Sequence, residues 1–150
     1  MRLTLLAVGR MRAGPERDLL AHYRARIEVA VKEVEERRPL APADRRRRES
    51  ELLRAACPKG ATLVALDAKG HMLSSEGLAA RLRAWEDGGV GDLAFAIGGA
   101  DGLDEALVRD AAFVLSLGPM TWPHLLVRGM LAEQLYRARS ILAGHPYHRG

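Results

Sequence analysis

The sequence predicts a single α/β domain in which helices cover both faces of a parallel β-sheet. The chain has 150 residues, the usual size of one domain with its own hydrophobic core. Short apolar runs alternate with amphipathic segments along its whole length, as expected for strands joined by crossover helices. None of these runs approaches the ~20 apolar residues of a membrane-spanning helix, so we predict no membrane segment.

The first half of the chain predicts two strands and two helices, with an arginine-rich loop before the second helix. Residues 2–8 form an apolar run that ends at a glycine and predicts a buried strand. Pro15 begins a helical pattern, and residues 29–36 predict a short strand with charged alternate positions. Apolar residues are nearly absent from 37–48, which we predict to be a mobile loop. A helix follows over 49–56.

The second half predicts three further strands, each followed by a helix. Continuous apolar runs indicate strands that are buried on both faces. The predicted strands span 61–66, 92–97 and 113–117, and the predicted helices span 74–86, 103–112 and 123–142. We find no internal repeat and no domain boundary, so residues 1–150 are expected to form one domain.

The distribution of charge indicates an anionic partner. Lys and Arg together number 23 against 19 Asp and Glu, which gives a net charge of +4. Both ends of the chain are basic and its middle is acidic, and a basic surface built from two ends would suit a nucleic acid. The single cysteine, Cys57, has no partner within the chain, and no zinc-binding Cys/His spacing is present. We therefore expect a cytoplasmic protein without a metal.

Two segments at predicted strand ends could bind a small molecule. Residues 98–102 are glycine-rich and lie between a strand and a helix, on the side of a parallel sheet where ligands bind. Most turns of this kind, however, only reverse the chain. Residues 117–122 form an apolar loop that could wrap an adenine. Alternatively, this loop only leads into the last helix, with Thr121 as its cap and Pro123 in its first turn.

The last predicted helix has more apolar surface than one sheet face requires, which favours a dimer contact. Its few polar residues include two pairs with four-residue spacing. The pairs are His124 with Arg128 and Glu133 with Arg137. The second pair has the order of an ordinary helical ion pair, whereas the first has no such simple explanation.

The chain ends in the segment 145–149, which combines two histidines, a tyrosine and an arginine. The histidines could mimic a metal pair, but no further ligands lie nearby in the sequence. Such a tail either frays or orders against a nucleotide, with an aromatic ring stacked on a base and the arginine on phosphate.

Six segments stand out when they are taken together: LLAVG, VALD, IGGADGL, WPH followed by LLVR, EQLYRA and the terminal HPYHR. Their combination resembles the ribosomal RNA large-subunit methyltransferase H family, whose members are small single-domain proteins of the SPOUT superfamily. The resemblance covers essentially all 150 residues. No single segment is specific enough alone, but the set is highly specific.

The resemblance implies transfer of a methyl group from S-adenosyl-L-methionine to N3 of pseudouridine 1915 of 23S rRNA within the assembled 70S ribosome. It also implies a homodimer and a SPOUT-type fold with a C-terminal trefoil knot, which general topology rules would not predict. The family's cofactor contacts fall on the segments already singled out. They are Leu66, Gly98, Leu117, Gly118, Pro119, Met120, Thr121 and Trp122.

Such a reaction needs a group that removes the N3 proton and a surface that holds the RNA. We expect His148 to accept the proton or orient the substrate, with His124 as the second candidate base. Tyr147 is expected to stack on a base. Three arginines are expected to bind phosphate or the developing imide anion, namely Arg149, Arg128 and Arg137.

Two other functions stay open. A noncatalytic ribosome-assembly or RNA-binding protein would use the basic ends, but it has no need of an apolar loop beside a glycine-rich turn. A flavodoxin-like or Rossmann-type enzyme would carry a glycine fingerprint after the first strand, where Gly9 is instead followed by Arg10, Met11 and Arg12. The arginine run 45–48 is either a solvated loop or a contact for the rRNA backbone.

Overall fold

The computed structural model describes all 150 residues and contains five strands and five helices in strict alternation. The strands are β1 (Arg2–Val8), β2 (Ala30–Val34), β3 (Thr62–Met72), β4 (Asp92–Ile97) and β5 (Phe113–Ser116). The helices are α1 (Pro15–Arg24), α2 (Pro42–Ala56), α3 (Ser75–Asp87), α4 (Glu105–Asp110) and α5 (His124–Ala143). None of these helices has the length and apolar character needed to cross a membrane.

The five strands form one sheet in the order β2-β1-β4-β3-β5, and every pair is parallel. β1 and β4 lie inside the sheet and are buried on both faces, which explains their continuous apolar sequences. Helices α1, α3 and α5 cover one face, where Phe95 is fully buried in the larger core. Helices α2 and α4 cover the other face around Leu53 and Leu107. The predicted parallel sheet with helices on both faces is therefore confirmed.

Helix α2 begins at Pro42, so the prediction of a mobile loop over 37–48 is wrong for the second half of that segment. Proline at the first helical position starts the helix without losing a hydrogen bond. Arg45 then donates to the carbonyl oxygens of Glu36 at 3.1 Å and Arg38 at 2.9 Å. These bonds tie the preceding turn to the helix. Because a charged side chain makes them, no apolar periodicity marks the start of this helix in the sequence.

The carboxylate of Glu36, just before α2, binds two further arginine side chains. It accepts hydrogen bonds from Arg38 at 3.0 Å and from Arg48 at 3.3 Å. The hydrogen bonds from Arg38 are the main cause that lowers the pKa of Glu36 to about 2. Part of the arginine run is thus engaged within the chain, and contact with RNA stays a prediction for this segment.

Strand β3 leaves β5 and rejoins it after a short excursion. Leu66 and His71 both pair in register with Leu115, so the residues between them loop out of the sheet. The hydroxyl of Ser116 donates a hydrogen bond to the carbonyl oxygen of Ala68 at 3.0 Å. The excursion is therefore fixed against the end of β5, where it forms one wall of the cavity described next.

Candidate functional site

A cavity of about 580 Å³ opens at the carboxyl ends of β3, β4 and β5. Parallel α/β sheets bind their ligands at this edge, and the volume and largely apolar lining suit a molecule of cofactor size. Seven of the eight predicted cofactor residues line the cavity, and Pro119 does not. The seven are Leu66, Gly98, Leu117, Gly118, Met120, Thr121 and Trp122.

Gly98 is the tightest point of the glycine-rich turn. A Cβ atom at this position would lie 2.6 Å from the carbonyl carbon and 2.8 Å from the carbonyl oxygen of Gly102. The turn is closed by a hydrogen bond from the Gly102 N–H to the Gly99 carbonyl at 3.0 Å, and Gly102 itself has a φ of +79°. Chain reversal alone therefore requires glycines here, and the same turn presents bare backbone to the cavity.

The loop between β5 and α5 is shaped by its own hydrogen bonds. Gly118 adopts a φ of +107°, and the indole N–H of Trp122 donates to the carbonyl oxygen of Leu117 at 3.2 Å. Pro123 occupies the N-cap of α5, and no side chain caps this helix. Thr121 therefore does not cap α5, as it would if the loop only led into the helix. It lies in the cavity wall instead.

His124 is the first residue of α5 and lies in the wall of the same cavity. Burial lowers the pKa of His124, and the positive charge of Arg128 adds to this effect. The ring is therefore neutral at pH 7, with one nitrogen able to accept a proton. This state suits either a general base or a group that must not repel a cationic ligand.

Arg128 is fully buried one helical turn beyond His124. Its guanidinium donates to the carbonyl oxygens of Val8 and Gly9, both at 2.7 Å, and pairs with Glu33 at 2.6 Å. These bonds satisfy carbonyl groups at the end of β1. The expectation that Arg128 binds phosphate or an imide anion is not met here, because the side chain has no exposed surface and instead joins β1, β2 and α5.

The C-terminal tail folds back onto α5. The Tyr147 hydroxyl donates to Glu133 at 3.0 Å and lies 3.4 Å from the Tyr23 hydroxyl on α1. The hydrogen bond with Tyr23, burial and the Glu133 carboxylate together raise the pKa of Tyr147 well above its usual range. The guanidinium carbon of Arg137 lies 4.8 Å from the centre of the Tyr147 ring. Arg137 thus covers a face that Tyr147 would need for stacking on a base.

His148 lies between α3 and α5. Its Nδ1 atom is 3.1 Å from Nη1 of Arg137, and its Nε2 atom is 2.8 Å from Oε1 of Glu76. Arg137 is itself paired with Glu133, which confirms the ion pair predicted from their four-residue spacing. Arg149 is exposed. No group of three or more His, Cys, Asp or Glu side chains in the chain is placed to hold a metal ion.

A second cavity, of about 640 Å³, adjoins the first one on the side of the tail. The two cavities share Leu115, Leu117 and Gly118, and Glu133 connects the second cavity to the tail. None of residues 145–150 lines the first cavity. At the rim of the second cavity the apolar side chains of Met72 and Leu73 are exposed. An apolar surface therefore lies between the tail and the sheet-edge cavity.

Glu49 is a buried carboxyl group that sequence reasoning missed, because it sits in a run of charged residues. It is 7% exposed, and its Oε1 atom has no hydrogen-bond partner. Its carboxyl oxygens lie 3.3 and 3.4 Å from where a Cβ of Gly99 would be, directly behind the glycine-rich turn. The next residue, Ser50, accepts a hydrogen bond from the Asp104 N–H at 2.9 Å. Helix α2 thus supports this turn from behind.

Glu49→Gln is expected to stabilise the protein at high pH. Burial raises the pKa of Glu49 in the folded protein. The folded state is therefore at its most stable at low pH, where the carboxyl group is protonated, and it loses stability as the pH rises and the group ionises. The variant should gain about 1 kcal/mol of unfolding free energy at pH 8 and nothing at pH 4, measured by urea denaturation. A gain of equal size at both pH values would contradict this explanation.

Residues 1–148 match the family model described as "Predicted SPOUT methyltransferase". The chain is 59% identical over 151 residues to the Ribosomal RNA large subunit methyltransferase H of Rhodospirillum centenum, and 99% of each chain is covered. It is 56% identical over 151 residues to the protein of the same name from Paramagnetospirillum magneticum, again with 99% coverage of each. Among solved structures, it resembles a probable methylase family protein from Haemophilus influenzae. That match has a TM-score of 0.59 and 11% identity and covers 99% of this chain and 70% of that one, which supports the fold alone.

Proposed function

The chain belongs to the SPOUT methyltransferase family, and on this premise we propose that it transfers a methyl group from S-adenosyl-L-methionine to N3 of pseudouridine 1915 of 23S rRNA in the assembled ribosome. Relatives that match nearly the whole chain are named ribosomal RNA large subunit methyltransferase H, which supports rRNA as the substrate. The observation that carries the proposal is the cavity formed by the glycine-rich turn and the apolar loop at the sheet edge.

The residues around this cavity fit S-adenosyl-L-methionine. The bare backbone at Gly98 allows polar groups to approach closely, and the apolar loop 117–122 is suited to an adenine ring. His124 is held neutral and so adds no charge to repel a sulfonium. When bound, the cofactor supplies an electrophilic methyl group.

The chain itself must place N3 of the base in line with that methyl group and remove the N3 proton. We assign proton removal to His148, whose ring is held at both nitrogens, and keep His124 as the second candidate. Arg137 lies against the tail and Arg149 lies within it, and both are assigned to phosphate or the developing imide anion. Tyr147 is assigned to stacking on a base, for which its ring must turn away from Arg137.

We also propose that the working form is a homodimer. The tail does not line the cavity of its own chain, and exposed Met72 and Leu73 lie on the apolar surface between them. A second copy packed on that surface would extend the area that holds the ribosome, and it could bring one tail towards the other cavity.

Family membership further suggests that the C-terminal part is threaded as a trefoil knot. The excursion of β3 packs against the end of β5 just before the chain turns into the loop 117–123, and a threaded crossing would fall at this place. A cytoplasmic location is proposed because the assembled ribosome is the substrate.

His148→Ala is expected to lower turnover at saturating substrate about 100-fold, because it removes the proton acceptor. Cofactor affinity should stay unchanged, since the side chain does not line the cofactor cavity. His124→Ala should mainly weaken cofactor binding. Methyl incorporation into ribosomes and calorimetry measure the two effects. If His148→Ala kept near-wild-type turnover while His124→Ala lost it, the role of base would pass to His124.

Calorimetry with S-adenosyl-L-methionine, combined with a methyl-incorporation assay on ribosomes, tests the proposed function against a noncatalytic role. We expect saturable cofactor binding at one site per chain and transfer of the labelled methyl group to rRNA. RNA binding without cofactor binding or methyl incorporation would favour a ribosome-assembly or RNA-binding protein.

A further inference from the structure

His148 is held from two sides by charged residues of different helices. Arg137 of α5 contacts Nδ1 at 3.1 Å, and Glu76 of α3 contacts Nε2 at 2.8 Å. The histidine side chain keeps only 18% of its accessible surface, whereas that of Glu76 is 56% exposed. The ring is thus well fixed although it belongs to the C-terminal tail.

These two contacts define which nitrogen carries the proton. A guanidinium group only donates hydrogen bonds, so Nδ1 accepts from Arg137 and the proton of the neutral ring lies on Nε2. That proton is donated to Glu76, and this hydrogen bond is the main cause that lowers the pKa of Glu76. Glu76 also lies in the first turn of α3, where the helix dipole favours a negative charge.

We propose that Glu76 is a positioning residue for His148, and that Nδ1 of His148 is the atom that removes the N3 proton from the base. This inference rests on the proposed function. A carboxylate that accepts the proton of one ring nitrogen fixes the tautomer and aims the lone pair of the other. Glu76 would also balance the positive charge that the ring acquires.

Arg137 occupies the place at Nδ1 that the N3–H group of the substrate would take. Its Nε and Nη2 atoms are held by Glu133, so the guanidinium can stay anchored when the contact between Nη1 and His148 is lost. In the proposed step Nη1 moves to a neighbouring imide oxygen and stabilises its negative charge. The N3–H bond breaks and its proton goes to Nδ1. The electron pair left on N3 would then form the bond to the methyl carbon that S-adenosyl-L-methionine would supply, and the electrons of the former carbon–sulfur bond would remain on sulfur.

The charged and titratable groups around His148 come from three elements. They are Arg137 and Glu133 of α5, Glu76 of α3, and Tyr147 and Arg149 in the tail. The Glu133 carboxylate is already engaged by Arg137 and Tyr147. Glu76 is therefore the carboxylate that contacts the ring directly, and removing its charge leaves the protonated ring without its nearest counter-charge.

The test compares Glu76→Gln, which removes the charge but keeps the size and an acceptor oxygen, with Glu76→Ala, which removes both. Glu105→Gln is the matched control, because it removes an exposed carboxylate from the first turn of α4 on the opposite face of the sheet. We expect Glu76→Gln to lower kcat about 10-fold, with KM nearly unchanged and the acidic limb of the pH–rate profile moved to lower pH. Glu76→Ala should lower kcat about 100-fold.

A second readout does not depend on catalysis. In protein labelled with ¹⁵N at histidine, the Nε2–H signal of His148 is identified by its absence in His148→Gln. We expect this signal in the wild type and in Glu105→Gln, and its loss in Glu76→Ala, because the proton then exchanges freely with water.

Unchanged kcat and pH profile in Glu76→Gln would overturn the proposal. So would a loss of activity with an unchanged profile, since Glu76 would then only anchor the tail. An Nε2–H signal that is absent from the wild type, or that survives Glu76→Ala, would overturn the pairing itself. A wild type without transferase activity, whose signal still depends on Glu76, would overturn the proposed function and support the pairing.

Discussion

Gly98→Ala is expected to weaken the binding of S-adenosyl-L-methionine about 100-fold, which corresponds to about 2.7 kcal/mol. A Cβ at this position would lie 2.6 and 2.8 Å from backbone atoms of Gly102, and a backbone cannot give way as a flexible side chain can. The turn must therefore shift, and with it a wall of the cavity that is proposed to hold the cofactor. Titration calorimetry measures the affinity directly.

Gly91→Ala provides the matched control for this prediction. Apart from its two chain neighbours, no residue has an atom within 4 Å of the Cβ that this substitution adds, and Gly91 is not among the glycines with positive φ. Its affinity for the cofactor should equal that of the wild type. If Gly98→Ala bound the cofactor as tightly as Gly91→Ala, the glycine-rich turn would not be part of the cofactor site.

Arg128→Met is expected to lower the free energy of unfolding by about 2–4 kcal/mol, since it leaves two carbonyl oxygens at the end of β1 without their donor and removes the ion-pair partner of the partly exposed Glu33. The substitution removes the donors to the Val8 and Gly9 carbonyl oxygens and the partner of Glu33. For a chain of this size the melting temperature should fall by about 10 °C. Thermal and urea unfolding measure the effect.

A double-mutant cycle separates the ion pair from the other contacts of Arg128. Glu33→Gln leaves a buried guanidinium without its counter-charge, so it should also destabilise, and the double variant should cost less than the sum of the two. Arg109→Met, at an exposed position on α4, should change stability by less than about 0.5 kcal/mol. An effect of Arg128→Met as small as that of Arg109→Met would contradict the structural role.

The alternation of strands and helices was predictable because each central strand is a continuous apolar run and each connection is a separate segment. Once the sheet is taken as parallel, the carboxyl ends of its strands must meet at one edge. This is why Leu66, Gly98 and the loop 117–122, which are far apart in sequence, could be expected to share a cavity. The candidate cofactor site thus follows from local patterns combined with one topological rule.

The start of helix α2 and the burial of Arg128 could not be predicted from local patterns. The inward face of α2 includes Glu49 and Ser50, so no apolar period marks its first turns. His124 and Arg128 were correctly placed on one side of α5, but arginine is seldom fully buried, and nothing local indicates that Arg128 is.

Contacts between distant parts of the chain were equally hidden. Glu76 and His148 are separated by 72 residues, and their hydrogen bond depends on how the tail returns to α3. Likewise, the unpaired state of the Glu49 Oε1 atom follows from the packing of α2 behind the glycine-rich turn, which no local pattern predicts. Local sequence patterns carry no signal for pairs of this kind, because each partner alone resembles an ordinary surface residue.

The most direct test of the central claim is to map rRNA methylation on ribosomes from a deletion strain after adding the purified protein and S-adenosyl-L-methionine. The account predicts one new methyl group, on N3 of pseudouridine 1915 of 23S rRNA, formed on assembled 70S ribosomes. Absence of that methyl group, or modification of free 23S rRNA in preference to assembled ribosomes, would contradict it.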